Sequence, residues 1–254
     1  MKREGNCLRR FIYAAMVAFA LPAVALAQLN VITSGGFFVA YQELVPEFEK
    51  STGILVTTLR GPSQGTGPNT IGAQLRRGVA ADVVIMSRAG LNELIADGRI
   101  VAGTDVDLAR TSLGLAIRAG ATKPDIGSVD ALKQTLLRAT SVAYESSTIP
   151  FMRERLLPQL GIANAVIPKS IEDGAPAVAS GAADVVIAPV SELLHAPGVD
   201  YVGAIPSEVQ SPETFSAAIV AESKEREAAK GLIRFLTSEH ARTAIRDSGM
   251  QPSN

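Results

Sequence analysis

Three apolar segments of the chain each end in a turn that carries hydroxyl groups. These turns contain Thr33, Ser34 and Gly35 after residues 29–32, Arg60 and Ser63 after residues 55–59, and Ser146 and Ser147 after residues 141–144. Hydroxyl groups and the free N–H groups at a helix N-terminus bind anions. Because the strand ends of an open α/β sheet meet at one crevice, the three turns together predict an anion site. Each turn alone could equally be an ordinary Ser/Thr helix cap.

The elements that would position these turns alternate between strand and helix, which predicts an α/β fold. Predicted strands and helices alternate from residue 29 to residue 97, and a second such series begins near residue 112. The segment 80–85 (Ala-Ala-Asp-Val-Val-Ile) recurs at 182–187, each copy following a short helix and a glycine. We therefore predict two similar lobes, each a sheet flanked by helices, comprising residues 28–111 plus 210–254 and residues 112–209. The two crossings, near 109–114 and 204–216, would form a hinge that closes around a ligand.

The first 27 residues have the pattern of an export signal. Four basic residues precede an apolar stretch from 11 to 26, and Ala25-Leu-Ala27 fits a cleavage site, which predicts a periplasmic protein beginning at Gln28. A membrane anchor is the alternative, but the apolar stretch is short for a spanning helix and contains Pro22. The lone cysteine, Cys7, lies within this segment, so the mature chain would have no disulfide, cysteine nucleophile or cysteine metal site.

The mature chain is mildly acidic, which argues against nucleic acid as a partner. Without residues 1–27, 20 of the 24 Lys and Arg and 24 of the 25 Asp and Glu remain. Nucleic-acid binding requires a basic face. No His, Asp and Glu set has the spacing of metal ligands, so we expect neither a metal nor a cofactor. Nothing indicates an interface beyond the cleft, and a monomer is expected.

The motifs of the mature chain resemble those of bacterial type 2 periplasmic solute-binding proteins, and within them the molybdate-binding group. The motifs are residues 32–36 (Ile-Thr-Ser-Gly-Gly), 48–53 (Phe-Glu-Lys-Ser-Thr-Gly), 61–63 (Gly-Pro-Ser), 75–78 (Leu-Arg-Arg-Gly), 81–86 (Ala-Asp-Val-Val-Ile-Met) and 190–194 (Val-Ser-Glu-Leu-Leu). This resemblance implies that Ser34 and Ser63, with the turn carrying Ser146 and Ser147, bind a tetrahedral oxyanion. The group also uses a tyrosine after the later strand, whereas residues 187–190 contain none.

Residues 60–66 and 190–194 are more similar to an offshoot of this group that includes periplasmic aconitate isomerase. That resemblance implies a small polycarboxylate as ligand. Arg60 beside Ser63 fits this ligand because a guanidinium binds a carboxylate through two parallel hydrogen bonds. The alternative for Arg60 is a solvated charge at a strand end.

Two functions remain open at this point. The first is an exported receptor that captures a small anion, either a molybdate-like oxyanion or a polycarboxylate, for a membrane permease of the ABC type. The second is an aconitate isomerase, which needs a base close to a carbon-bound proton and cationic groups on the carboxylates. Glu145 and His195 are the candidate bases, and Arg153 is a candidate carboxylate ligand. All three could instead be ordinary helix-end or surface charges.

Overall fold

The computed structural model describes residues 28–253, so the predicted signal segment and its cleavage after Ala27 lie outside the described residues. The strands are β1 (Gln28–Thr33), β2 (Leu55–Arg60), β3 (Val83–Ser87), β4 (Val106–Thr111), β5 (Leu113–Arg118), β6 (Val142–Tyr144), β7 (Ser170–Ile171), β8 (Val185–Pro189), β9 (Val199–Ala204), β10 (Glu213–Ile219) and β11 (Gln251–Pro252). The α-helices are α1 (Gly35–Thr52), α2 (Ile71–Arg76), α3 (Arg88–Ala96), α4 (Val129–Arg138), α5 (Leu157–Gln159), α6 (Ala163–Val166), α7 (Gly174–Ala179), α8 (Val190–Leu193), α9 (Arg226–Leu236) and α10 (Arg242–Asp247).

The strands form two sheets, each flanked by helices, as the alternating pattern predicted. The first sheet has the order β11-β4-β10-β3-β1-β2, and the second has the order β7-β6-β8-β5-β9. Three neighbouring strands of each sheet are parallel, β1 with β2 and β3, and β6 with β7 and β8, and the remaining strand pairs are antiparallel. Buried apolar side chains cover both faces of each sheet, so each sheet has its own core. The α/β fold with two lobes is therefore confirmed.

Two chain segments connect the sheets. The first joins β4 to β5 through Ser112, and the second joins β9 to β10 through residues 205–212. Gln210 ties the two connections together, because its Oε1 accepts from the N–H of Leu113 (3.0 Å) and its Nε2 donates to the carbonyl of Ile205 (3.1 Å). The sheets draw on residues 28–111 with 213–252 and on residues 113–204. We propose the same lobe limits as the sequence suggested, 28–111 plus 210–254 and 112–209.

Helix α1 places the first cleft residues and runs unbroken from Gly35 to Thr52. Tyr41, Leu44 and Phe48 recur at helical spacing and are buried against the first sheet. A kink or break was expected at Pro46, but the helix continues through it. Pro46 lies on the exposed face, where water can hydrogen-bond the carbonyl group that proline leaves without a donor.

Two other elements differ from the sequence-based expectation. Strand β4 was not predicted, because its residues Val106–Thr111 alternate between apolar and charged side chains and lack the continuous apolar run of a central strand. The single helix expected over 150–160 is instead a π-helical segment (Phe151–Leu156) followed by the short helix α5. Within residues 28–253, no helix has both the length and the apolar character needed to cross a membrane.

Candidate functional site

A cavity of about 350 Å³ lies between the two sheets, at the strand ends where the sequence predicted a site. It is lined by Ser34, Gly35, Arg60, Gly61, Pro62, Ser63 and Asn69 from the first lobe, and by Glu145, Ser146, Ser147 and Glu192 from the second. The fold therefore brings together seven of the ten candidate site residues, including both serine pairs. We refer to this cavity as the cleft.

Ser34 provides an unused hydrogen-bonding group in the cleft. It precedes α1 as the N-cap residue, and its hydroxyl is buried without a partner among the described residues. A buried polar atom without a partner is costly, and it commonly marks a position where a ligand binds. The first N–H groups of α1 lie next to it and have no partner within the helix. This corner of the cleft can therefore donate hydrogen bonds to an anion.

Ser63 and Arg60 are held by contacts within the first lobe. The Ser63 hydroxyl oxygen accepts a hydrogen bond from the N–H of Ser87 at 2.9 Å, so its own proton can be donated into the cleft. The Arg60 guanidinium lies 4.0 Å from the centre of the Phe38 ring. Stacking on an aromatic ring orients a guanidinium and leaves its N–H groups free to bind a carboxylate.

Thr33, Arg153 and His195 lie outside the cleft lining. Thr33 is fully buried in β1, and its hydroxyl donates to the carbonyl of Ser34 at 3.2 Å. Arg153 lies on the lobe surface and pairs with Glu172. His195 is exposed and lines a second cavity of about 800 Å³ behind the cleft. The two cavities share Gly35, Arg60, Glu145 and Glu192, which separate them.

Glu145 has the environment of a general base. Burial raises the pKa of its carboxyl group, and the charge of Asp173 acts in the same direction. The N–H groups of Ala175 and Ser146, and the charge of Arg60, partly oppose this rise. Gly174 makes the arrangement possible: a Cβ atom at this residue would lie 1.7 Å from Oε1 of Glu145, and its φ of 56° also favours glycine.

Two further glutamates, which sequence reasoning did not select, lie near Glu145: Glu192 lines the cleft, and Glu213 lines an adjoining cavity of about 360 Å³ that shares Ser147 with the cleft. Burial raises the pKa of Glu192 well above its ordinary value, and the charges of Glu145 and Glu213 raise it further. Burial also raises the pKa of Glu213 to about 7, although Ser147 donates a hydrogen bond to its carboxylate at 3.2 Å. Glu192 lies in the motif 190–194, so the sequence indicated it weakly as a site residue. Glu213 begins an apolar strand, and nothing in the sequence indicated it.

The cleft thus combines hydrogen-bond donors with carboxyl groups whose pKa values are raised by burial. The donors suit an anionic ligand, and a carboxyl group whose pKa is raised toward 7 can act as a general acid or base. Among the described residues there is no cluster of three His, Cys, Asp or Glu side chains that could hold a metal ion. The chemistry that the geometry supports is therefore proton transfer on a bound anion.

Fold and cleft together define a two-lobed solute-binding protein, and comparison with known proteins identifies the family. Residues 29–251 match the family described as bacterial extracellular solute-binding protein, and the chain belongs to that family. It is 38% identical over 237 residues to the aconitate isomerase of a Pseudomonas species, covering 91% of this chain and 90% of that protein. The predicted membership, including the molybdate-binding-like offshoot, is thereby confirmed.

Solved structures of solute-binding proteins share the fold at low sequence identity. The periplasmic molybdate-binding protein of Azotobacter vinelandii matches with a TM-score of 0.71 and 21% identity, covering 89% of this chain and all of that one. The sulfate-binding protein of Mycobacterium tuberculosis matches with a TM-score of 0.67 and 18% identity, covering 90% and 88%. At these identities the neighbours show that the chain shares their fold.

Proposed function

We propose that this protein is an isomerase that shifts a proton along a small unsaturated polycarboxylate, with aconitate as the first substrate to test. The observation that carries the proposal is the pair Glu145 and Glu192 in the anion cleft, with Glu213 next to it on the hydroxyl of Ser147; burial raises all three pKa values. A receptor that only binds an anion gains nothing from three carboxyl groups beside it. A proton-transfer enzyme requires such groups. The 38% identical aconitate isomerase supports the same choice.

The reaction is a proton shift with no net oxidation or reduction. In trans-aconitate, the base removes a proton from the CH2 group, and the electron pair left on that carbon delocalises through the adjacent double bond to its carboxylate. A proton is then added to the former vinylic carbon, so the double bond moves by one position and re-forms with the other geometry. One proton leaves and one returns, and atoms and charge balance.

The cleft residues have distinct roles in this proposal. Glu145 is the base, because it lines the cleft, is largely buried and has a raised pKa. Arg60 binds one carboxylate through its planar N–H groups, and Ser34 and Ser63 donate hydrogen bonds to the same end of the substrate. Ser146 and Ser147 hold the opposite end from the second lobe. Closure of the lobes then brings donors and base onto one substrate molecule and excludes water.

The proposal is tested by incubating the purified chain with trans-aconitate in D2O and following the products by proton NMR. We expect cis-aconitate to accumulate, with deuterium at the carbon that receives the new proton, because a carboxyl group in the cleft exchanges its proton with solvent. A chain that binds trans-aconitate and forms no isomer in this assay would refute the proposal and leave a binding function.

A transport receptor is the second candidate, favoured by the unpartnered hydroxyl of Ser34 at the N-terminus of α1. In this alternative, residues 1–27 direct export to the periplasm, and the monomeric protein delivers a molybdate-like oxyanion or a polycarboxylate to an ABC-type permease. Thermal unfolding with molybdate, tungstate, sulfate, citrate and both aconitates separates the two, because a ligand that binds only the folded state raises the midpoint. A shift with molybdate or tungstate alone favours the receptor.

A further inference from the structure

The N-terminus of α1 already has a carboxyl group of the protein next to it. Glu192, on the short helix α8 of the second lobe, directs its carboxyl group at Gly35, the first residue of α1. A Cβ atom at Gly35 would lie 3.2 Å from both Cδ and Oε2 of Glu192 and 3.3 Å from Oε1. The carboxyl group is therefore in contact with the end of the helix that attracts anions.

This position is the one that a small bound anion would take. The hydroxyl of Ser34 adjoins it, buried to 3% exposure and without a partner among residues 28–253. A tetrahedral oxyanion bound here would need the space that the Glu192 carboxyl group fills. It would also lie close to the carboxyl group of Glu145, with Arg60 the one cationic side chain among the described residues lining the cavity.

An extended organic acid meets a different environment in the same cleft. Its carboxylates are separated by C–H groups, so it can direct the carboxylates to Arg60, Ser63 and the Ser146 turn while presenting carbon to Glu192. A compact oxyanion carries charge on every side and has no neutral surface to present. The volume of the Glu192 carboxyl group therefore excludes one class of anion and admits the other.

We propose that Glu192 is the selectivity residue of the cleft: it occupies the anion position at the N-terminus of α1, excludes compact inorganic oxyanions and admits an extended organic acid. The inference rests on the proposed function only in taking the natural ligand to be an organic acid. It concerns binding and requires no turnover.

The test is calorimetric titration of the ligand-free chain at pH 7.5 with molybdate, sulfate and trans-aconitate. We expect the unmodified chain to bind molybdate at least 100-fold more weakly than trans-aconitate. Glu192→Ala removes the volume of the carboxyl group, and its affinity for molybdate should rise at least tenfold. Glu192→Gln retains the volume, so its gain should be smaller. Glu208→Gln, an exposed substitution in the same lobe, should change neither affinity.

Two results would overturn the inference: equal affinity of the unmodified chain for molybdate and trans-aconitate, or no gain in molybdate affinity for both Glu192 variants while they remain folded. If only the isomerase proposal fails, trans-aconitate binds without being converted, and the change in selectivity at Glu192 can still be measured.

Discussion

Strands β3 and β8 are the same element in two lobes, and comparing them separates what the fold requires from what the cleft requires. Both begin with Asp-Val-Val-Ile, and both lie beside a parallel strand in the middle of a sheet. The two aspartates make similar hydrogen bonds to a neighbouring segment. The residues at the other ends of the two strands differ in their chemistry.

The two aspartates anchor the neighbouring strand at its start. Asp82 accepts a hydrogen bond from the N–H of Asn30 at 2.9 Å, and Asp184 accepts one from the N–H of Thr140 at 2.6 Å. Asp82 is buried and also accepts from the hydroxyl of Ser223 (2.7 Å), whereas Asp184 is exposed. Hydrogen bonds from Thr140 hold the pKa of Asp184 below its ordinary value. Both acids thus hold backbone groups of a neighbouring segment in place.

The far ends of the two strands differ in charge. Ser87, at the end of β3, donates its N–H to Ser63, a neutral donor at the cleft, whereas β8 leads into α8 and Glu192. On the lobe surfaces that face each other, the first therefore supplies Arg60 and serine donors, and the second supplies Glu145 and Glu192. A repeated strand pattern can thus place binding groups on one side of a cleft and proton-transfer groups on the other.

Removing the base from the second lobe should have the largest effect. In Glu145→Gln we expect kcat for trans-aconitate isomerisation to fall by roughly 100- to 10,000-fold, which is the usual contribution of general acid–base catalysis. KM should change much less, because Arg60 and the serines of the first lobe remain. Steady-state kinetics followed by ultraviolet absorbance would measure both constants.

Glu208→Gln is the matched control for this substitution, because it makes the same chemical change on the exposed surface of the same lobe. It should retain full activity. Equal activity of Glu145→Gln and the unmodified chain would show that Glu145 is not the base.

Glu213, which joins the lobes through Ser147, should make stability depend on pH. Its pKa of about 7 in the folded chain exceeds the ordinary value of 4.5, so between these pH values the folded state retains a proton that the unfolded chain has lost. Stability contributed by this group is thus lost as pH rises from 4.5 through 7. Glu213→Gln should raise the free energy of unfolding by about 2 kcal/mol at pH 8 and by under about 0.5 kcal/mol near pH 4.5.

Urea unfolding at a series of pH values would measure this difference. Because burial also raises the pKa values of Glu145 and Glu192, the comparison must be between the variant and the unmodified chain at each pH. A stabilisation of equal size at pH 4.5 and pH 8 would mean that the proton on Glu213 is not involved.

The two serines of the first lobe should respond differently, with the smallest effects. Ser63→Ala removes the acceptor for the N–H of Ser87 and should lower the free energy of unfolding by about 1 kcal/mol. Ser34→Ala removes a buried hydroxyl that has no partner in the described part of the chain, so stability should stay level or rise slightly. Both should weaken trans-aconitate binding by roughly tenfold. Thermal unfolding with and without trans-aconitate would test the pair; stronger destabilisation by Ser34→Ala would contradict this view.

The sequence located the cleft through the turns that follow apolar strands, because strand ends of a parallel sheet meet at one edge wherever the strands are placed. This is how Ser34, Ser63, Ser146 and Ser147 could be selected in advance. Glu213 could not be selected in this way, since it begins a strand and reaches the cleft only because β10 returns to the first sheet antiparallel to β3. Its role depends on topology rather than on local pattern.

The direction of each side chain decided which of the remaining candidate site residues face the cleft. Thr33 and Ser34 are adjacent in the chain, yet one is buried in β1 and the other faces the cleft. Arg153 follows the right turn, but the π-helical segment that carries it places its guanidinium against Glu172, away from the cleft. Spacing along the chain predicts which turn a residue occupies, and it does not predict where the side chain points.

By itself, the sequence determined the α/β fold, the repetition of one strand pattern in two lobes and the hydroxyl-bearing turns at the strand ends. These features follow from apolar periodicity and turn composition, which act over a few residues. Only the tertiary structure decided that Glu145, Glu192 and Glu213 meet beside Arg60, because this depends on how two separately built sheets pack against each other. The pKa values that make proton transfer plausible arise from that packing, since burial and the neighbouring charges raise them.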